Sequence, residues 1–300
     1  MSGLSRRAFV KAGLVAAGGA VLPGQGQAQQ APSPLMWGAL LHMGTNMWCD
    51  VPVDSWGPFK GEQLKLVCQA DHLRFDEQVW QTLTARMKAA GMNLVVIDLG
   101  EALQYESHPE LSVKGSWPVE RFRKELARLR AMGLEPIPKL NFSTAHDIWL
   151  KEYSRQISTP AYYKVCADMI REVCAIFDKP RFFHLGYDEE TAGNQTKYSY
   201  VVVRQGDLWW HDFLFFAKEV EKQGARPWIW SDYYWHHPEE FLNRMPKSVL
   251  QSNWYYGAGF DPEKQKCVKA YLDLEKAGFD QVPTGSNWSC DVNFKGTVEF

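Results

Sequence analysis

The 300-residue chain balances 33 Lys and Arg against 35 Asp and Glu, for a formal net charge of −2, and carries no basic cluster. That balance excludes nucleic acid or an anionic membrane surface as the principal partner. With 45% hydrophobic residues and no long charged or low-complexity run, the chain suits one large domain with a sizeable core rather than two small ones.

In chain order the N-terminus comes first. Ser5-Arg6-Arg7-Ala8-Phe9-Val10-Lys11 has the form of a twin-arginine export signal. The stretch 12–22, rich in Ala, Gly, Val and Leu, is only about half of the roughly 20 residues a membrane span needs, so it reads as a signal h-region and not as a stable anchor. Small residues around Gln27-Ala28-Gln29-Gln30-Ala31 suit signal peptidase. A signal peptide is therefore expected at 1–31 and a mature domain at 32–300. The twin-arginine translocase is the expected export partner, and the periplasm or the exterior the expected location.

Beyond the signal, short apolar runs that end in polar residues alternate with segments of helical period. Strands are expected at 36–43, 93–99, 134–140, 181–186, 227–231, 248–253 and 281–286, and helices at 76–90, 119–132, 159–177, 207–223, 238–244 and 262–277. Gly91, Gly133, Gly224 and Gly278 stand where a helix C-cap precedes the next strand. Strict alternation of this length points to the α/β class and to a (β/α)8 TIM barrel. A doubly wound sheet would carry a Gly-rich phosphate turn after its first strand, and Gly44-Thr45-Asn46-Met47-Trp48 has no such pattern. Seven strands are legible and not eight. The expectation is that the sequence stops before the barrel closes, with a strand hidden within 188–204 as the other explanation.

Six cysteines lack the spacing of a metal site, and no cofactor motif is found, so neither a metal nor a cofactor is expected. Cys166 and Cys174 lie eight residues apart on one predicted helix, roughly 12 Å along its axis, too far to bridge. Buried thiols are expected for most of the six. Pairing of Cys49 with Cys68 or with Cys290 stays open.

The active site of such a barrel forms at the C-terminal strand ends. In strand order these deliver His42; Asp98 and Glu101; Lys139, Asn141, His146 and Asp147; His184, Asp188, Glu189 and Glu190; Trp230, Asp232, Tyr233 and Tyr234; Asn253, Trp254 and Tyr255; and Asn287 with Trp288. The densest point is the acidic run Asp188-Glu189-Glu190, where crowded carboxylates raise one another's pKa and keep one poised as a proton donor. Aromatic residues make up 14% of the chain, and Trp230, Trp254 and Trp288 are candidate platforms for the flat C–H faces of a sugar. Asp188 and Glu189 are the candidate catalytic pair. His42, Asp98, Glu101, Asn141, His146, His184, Trp230, Asp232, Trp254, Tyr255 and Trp288 are the candidate substrate contacts. Trp209-Trp210 reads as packing and His236-His237 as a helix-entry loop.

His184-x-Gly186-x-Asp188-Glu189 resembles the fourth-strand signature of the family 20 glycoside hydrolases, the β-N-acetylhexosaminidases. Trp228-Ile229-Trp230-Ser231-Asp232 is similar to that family's fifth-strand segment, and 138–146, ending in His146, sits where the family has a third-strand segment ending in His. The resemblance implies a TIM barrel in which Glu189 is the general acid/base. Asp188 would orient the substrate's own 2-acetamido group, which replaces a protein nucleophile. The implied substrate is terminal β-linked N-acetylhexosamine or a related sugar.

The chain also departs from that pattern. Tyr187 replaces a glycine, His42 stands where the first strand usually offers an arginine, and the seventh-strand Tyr-x-Asp element is absent, with Tyr255 or Tyr256 as a substitute phenol. The residues leave two rivals: a retaining glycosidase using Asp232 or Glu101 as nucleophile, and a carbohydrate-binding barrel without catalysis.

Overall fold

The computed structural model describes residues 35–57 and 59–300, so the export signal lies outside the described residues. The elements run β1 (Gly38–His42), α1 (Glu77–Ala89), β2 (Leu94–Asp98), β3 (Leu103–Gln104), β4 (Trp117–Pro118), α2 (Val119–Ala131), β5 (Glu135–Lys139) and α3 (Pro160–Ile176). They continue as β6 (Phe182–His184), α4 (Asp207–Lys222), β7 (Arg226–Trp230), α5 (Pro238–Arg244), β8 (Leu250–Ser252), α6 (Lys266–Lys276) and α7 (Asn293–Glu299). Six strands form one parallel sheet in the order β1-β2-β5-β6-β7-β8. Sequential parallel order with a helix after each strand is a partial (β/α) barrel.

Six of the seven expected strands and all six expected helices appear where their patterns place them, within a few residues at their ends. Asp76 and Thr159 cap α1 and α3 by accepting from Val79 N–H and Tyr162 N–H, and Pro160 opens α3 where its missing N–H costs nothing. Gly133 closes α2 at φ 82°. The helix expected at 262–277 starts at Lys266, because the Asp261 side chain accepts Glu263 N–H and makes a turn first. Several short elements escaped the periodicity, among them the parallel ladder of β3 and β4 and the two 3-10 turns that flank a non-helical Lys151 within 148–155.

The segment expected as a seventh strand runs beside β8 but pairs only at Gln251 with Gln281 and Trp254 with Thr284. Residues 188–204 hold no strand and contain only the 3-10 turn Ala192–Gln195. No eighth barrel strand forms among the described residues. Instead α7 approaches β1, with Phe294 against Trp37 at 5.5 Å between ring centroids. No helix among the described residues is long and apolar enough to cross a membrane. All six thiols are free; Cys49, Cys166 and Cys174 are buried, whereas Cys68, Cys267 and Cys290 are only half-buried, which corrects the expectation of mostly buried thiols.

Strand alternation sorts the side chains into two populations. On β2, Val95 and Ile97 belong to the large cluster under the helices, while Leu94 and Val96 join Ile137, Phe182, Trp228 and Leu250 inside the barrel. One layer higher the inward residues turn polar. Register sets His42 beside Asp98, Asp98 beside Lys139, Lys139 beside His184, and His184 beside Trp228. The apolar lower layers thus support a polar row at the C-terminal ends.

That support is tight at the start of β1. A Cβ added to Gly38 would lie 2.4 Å from Leu94 Cδ1 and 2.4 Å from Leu94 O. Gly38→Ala is expected to cost about 1–3 kcal/mol through overpacking. Urea denaturation checks this, and a loss below about 0.5 kcal/mol, the range of neutral surface changes, would show that the strands part easily there.

Candidate active site

The floor of the site is the polar row. Lys139 Nζ donates to Asp98 Oδ2 with both side chains buried, and His42 Nδ1 lies 3.2 Å from the same oxygen. Burial pushes the Asp98 carboxyl up, but Lys139 and His42 outweigh it and hold the group below the ordinary carboxylate range. His184 accepts Gly186 N–H on Nδ1 at 3.0 Å and stands against the rings of Trp228 and Trp230, at 5.1 and 4.6 Å. Complete burial, with Lys139 nearby, drives its pKa well down, so the ring is neutral with its proton on Nε2.

Above this floor the chain leaves β6 through a left-handed turn: φ is 70° at Gly186, 72° at Tyr187 and 56° at Glu189. Only glycine fits position 186, where a Cβ would lie 2.0 Å from Asn141 Oδ1. The two non-glycine residues cost ~1–3 kcal/mol each in this conformation. Specific contacts offset that cost. Asn141 Oδ1 accepts Ser143 N–H at 3.0 Å and Tyr187 N–H at 3.3 Å, and Asn141 Nδ2 donates to Asp188 Oδ1 at 2.9 Å. Ser143 Oγ donates to Asp188 O, Glu189 N–H donates to Asp232 Oδ2 at 2.8 Å, and Asn194 Nδ2 donates to Glu189 O at 2.7 Å. The Tyr187 ring, which replaces the glycine of the family pattern, is buried against Trp209, Phe213 and Phe216 of α4, with the Arg204 guanidinium 4.6 Å above it.

The turn gives the three adjacent carboxylates three different fates. Asp188 and Glu189 meet at His146, whose Nε2 lies 3.4 Å from Asp188 Oδ2 and 3.1 Å from Glu189 Oε2. Glu190 instead takes the buried Arg204 and, at 2.8 Å, Thr144 N–H, so it is structural. Burial alone lowers the His146 pKa, but the two carboxylates overcome it and push it up to about 10. The Asp188 carboxyl is pushed up by burial and pulled below its ordinary range by His146, Lys139 and Asn141. Asp232 goes the opposite way: burial, then the charges of Asp188 and Glu189, raise it to about 7 despite the Glu189 N–H. Its Oδ1 lies 3.4 Å from Trp254 Nε1.

His146, Asp188 and Glu189 are also the group whose donor atoms come within 4.8 Å of one another, as a metal ion would require. A protonated His146 already offsets one of the two negative charges from inside. Outward from Glu189 and Asp232 opens a cleft of about 570 Å³, lined by Tyr233, Trp235, Trp254 and His237. Tyr233 is stacked between Trp209 at 3.9 Å and His237 at 4.4 Å, which makes this wall rigid.

The structure therefore brings together Asp188, Glu189, His146, Asn141, Asp232 and Trp254 over a floor of His42, Asp98, His184 and Trp230. Three expected contacts lie elsewhere. Glu101 Oε1 accepts Thr45 N–H at 2.7 Å and Asn46 N–H at 3.0 Å, so it anchors the loop after β1; burial raises its carboxyl. Tyr255 packs edge-on against Phe260 at 5.3 Å, and its neighbour Tyr256, 4.9 Å from Trp254, is the phenol raised by burial and then by Asp188, Glu189 and Asp232. Trp288 is 56% exposed and leans on Phe59 at 5.2 Å. Lys139 and Ser143 were not singled out as contacts, although a lysine closing the apolar strand Glu135–Lys139 was a legible signal.

No family model matches the chain, and no curated protein matches its sequence. Among solved structures it is similar to a family 20 exo-β-N-acetylglucosaminidase from Vibrio harveyi, with 17% identity and a TM-score of 0.55 over 73% of this chain and 40% of that one. A β-N-acetylhexosaminidase from Bacteroides fragilis aligns at 11% identity and a TM-score of 0.56 over 84% of this chain and 50% of that one. Dispersin B aligns at 17% identity and a TM-score of 0.52 over 71% of each. The chain thus spans half or less of the first two. The shared feature is the fold, a divergent form of the family 20 barrel.

The raised Asp232 carboxyl has a consequence for stability. Its pKa moves from 3.8 to about 7 on folding, so the native state keeps a proton that the unfolded chain has lost. The associated stabilisation is complete below about pH 4 and is lost as pH rises through 7. Relative to Asp232→Asn, which does not titrate, wild-type unfolding free energy should fall from pH 4 to 7. Urea titrations across that range measure the difference, and a flat difference would mean that Asp232 is ionised throughout.

Proposed function

We propose that the chain is a glycoside hydrolase that releases terminal β-linked N-acetylhexosamine, or a closely related sugar, by substrate-assisted retaining catalysis. The observation that carries this reading is the left-handed turn after β6, which brings two successive carboxyl groups to one imidazole, that of His146, with different surroundings. Glu189, whose side chain is 40% exposed, faces the opening and acts as general acid on the glycosidic oxygen. Asp188, gripped by Asn141 and His146, stays ionised and orients the N–H of the substrate's 2-acetamido group. The acetamido oxygen attacks the anomeric carbon as Glu189 gives its proton to the leaving oxygen. Glu189 then takes a proton from the water that opens the cyclic intermediate.

The remaining carboxyl groups support this division. Glu101 is engaged by backbone N–H groups, and Asp232 serves the Glu189 N–H and the Trp254 indole, so neither offers a free nucleophile. Tyr256 supplies the phenol for the acetamido oxygen, Trp230 and Trp254 the sugar platform, and the His42–Asp98–Lys139 set the hydroxyl contacts that an arginine makes in the family. The fold likeness to hexosaminidases supports the substrate class. We also propose export through the twin-arginine translocase to the periplasm or beyond, supported by Arg6-Arg7 and the short apolar stretch that follows.

The test compares an aryl N-acetyl-β-glucosaminide with the plain β-glucoside and β-galactoside. Turnover is expected for the acetamido substrate alone. Glu189→Gln should lower kcat/KM by about 10²–10⁴ on substrates with poor leaving groups, and Asp188→Asn should impair good and poor leaving groups alike. Activity on the plain glycosides would overturn substrate assistance, and binding without turnover of any would overturn hydrolysis. For export, replacing Arg6-Arg7 by Lys-Lys should leave the full-length precursor in the cytoplasmic fraction, and unchanged fractionation would refute the route.

A further inference from the structure

The long segment between β1 and α1 crosses itself once. Cys49 N–H donates to Val67 O at 3.1 Å and Gln69 N–H donates to Cys49 O at 2.7 Å, which sets Cys49 directly opposite Cys68 in an isolated parallel bridge. Adjacent strands lie about 4.8 Å apart, inside the roughly 4.4–6.8 Å between Cα atoms that a disulfide spans. Opposed residues of a parallel pair also leave the backbone on the same side. The crossing is held from both ends: Asn46 Nδ2 donates to Ala70 O at 2.8 Å, Ala70 N–H donates to Asn46 Oδ1 at 2.9 Å, and Arg74 Nη2 donates to Thr45 Oγ1 at 2.8 Å. No other pair of the six cysteines shares a bridge among the described residues.

We propose that Cys49 and Cys68 are a disulfide-forming pair that closes this segment into a ring in an oxidising compartment. The half-buried Cys68 is the sulfur an oxidant reaches first, while Cys49 is fully buried. The Cys68 thiolate attacks a small-molecule disulfide and releases one thiol, leaving a mixed disulfide. Cys49 then loses its proton, attacks the Cys68 sulfur and expels the second thiol. The two cysteines give up two electrons and two protons, and the oxidant becomes two thiols. Burial, followed by the neighbouring Cys68 and Asp50, pushes the Cys49 thiol up to about 12, so the second step limits the rate and speeds up with pH.

The link lies next to the loop that carries His146. Cys49 shares a buried cluster with Ile148 and Tyr198, the first two residues beyond His146 and the second on the segment that follows Glu190. Tyr198 in turn donates to Ala145 O. Closing the ring therefore stiffens the wall against which the His146 loop rests, and it requires only the geometry of the bridge, not the hydrolase reading.

The test is incubation of the purified, reduced full chain with oxidised glutathione, then thiol counting after unfolding, intact mass and peptide mapping. Two of the six thiols should disappear with the loss of two hydrogens, and the peptides bearing Cys49 and Cys68 should be joined. Cys49→Ala and Cys68→Ser should each prevent that loss. Closure should accelerate with pH, and the midpoint of thermal unfolding should rise by several degrees, reversibly on reduction. Six titratable thiols after oxidation, a persistent glutathione adduct on Cys68, or a link to Cys267 or Cys290 would each overturn the proposal.

Discussion

The contact between the Gly186 backbone and the Asn141 side chain governs the mouth of the half-barrel. Because no Cβ intervenes, Asn141 can accept from Tyr187 N–H and Ser143 N–H while donating to Asp188. One amide thereby ties β5 to the turn after β6 and orients a carboxylate. The left-handed residues that follow are unfavourable in isolation, and they persist because burial of Tyr187 on one side and Asp232 on the other over-determine them.

Electrostatics then differentiates groups that are chemically alike. Glu190, its side chain buried, lies within the Arg204–Asp212 network and serves packing. Asp188 is held ionised by an imidazolium and an amide, Asp232 is held protonated into the neutral range, and Glu189 faces the opening. A site that must keep one carboxylate charged and deliver a proton from its neighbour needs such unequal surroundings. Beneath it, the Asp98–Lys139 pair compensates its own charge. Asp98 keeps His42 as a second partner, whereas the buried Lys139 ammonium depends on Asp98 for its compensation.

The same barrel recurs in hexosaminidases at sequence identities of 11% and 17%. Apolar inward layers can be rebuilt from many residues of suitable volume, so they tolerate replacement. A backbone that must pass a side chain without a Cβ does not, as at Gly186 against Asn141, whereas the ring of the next residue, Tyr187, packs against α4.

By itself the sequence determined the alternation of strands and helices, the helix caps, the strand ends that carry polar groups, and the Asp188-Glu189 pair with His146 and Asn141. These are local patterns, set by periodicity and capping chemistry over a few residues. Only the tertiary structure decided which of two neighbouring tyrosines faces the carboxylates, that Tyr187 packs against α4, that Glu101 serves a loop and that Trp288 stands on the surface. Each of those depends on the sign of one φ angle or on the packing of a distant element. A single change of backbone sign reverses a side chain's direction without altering the pattern around it.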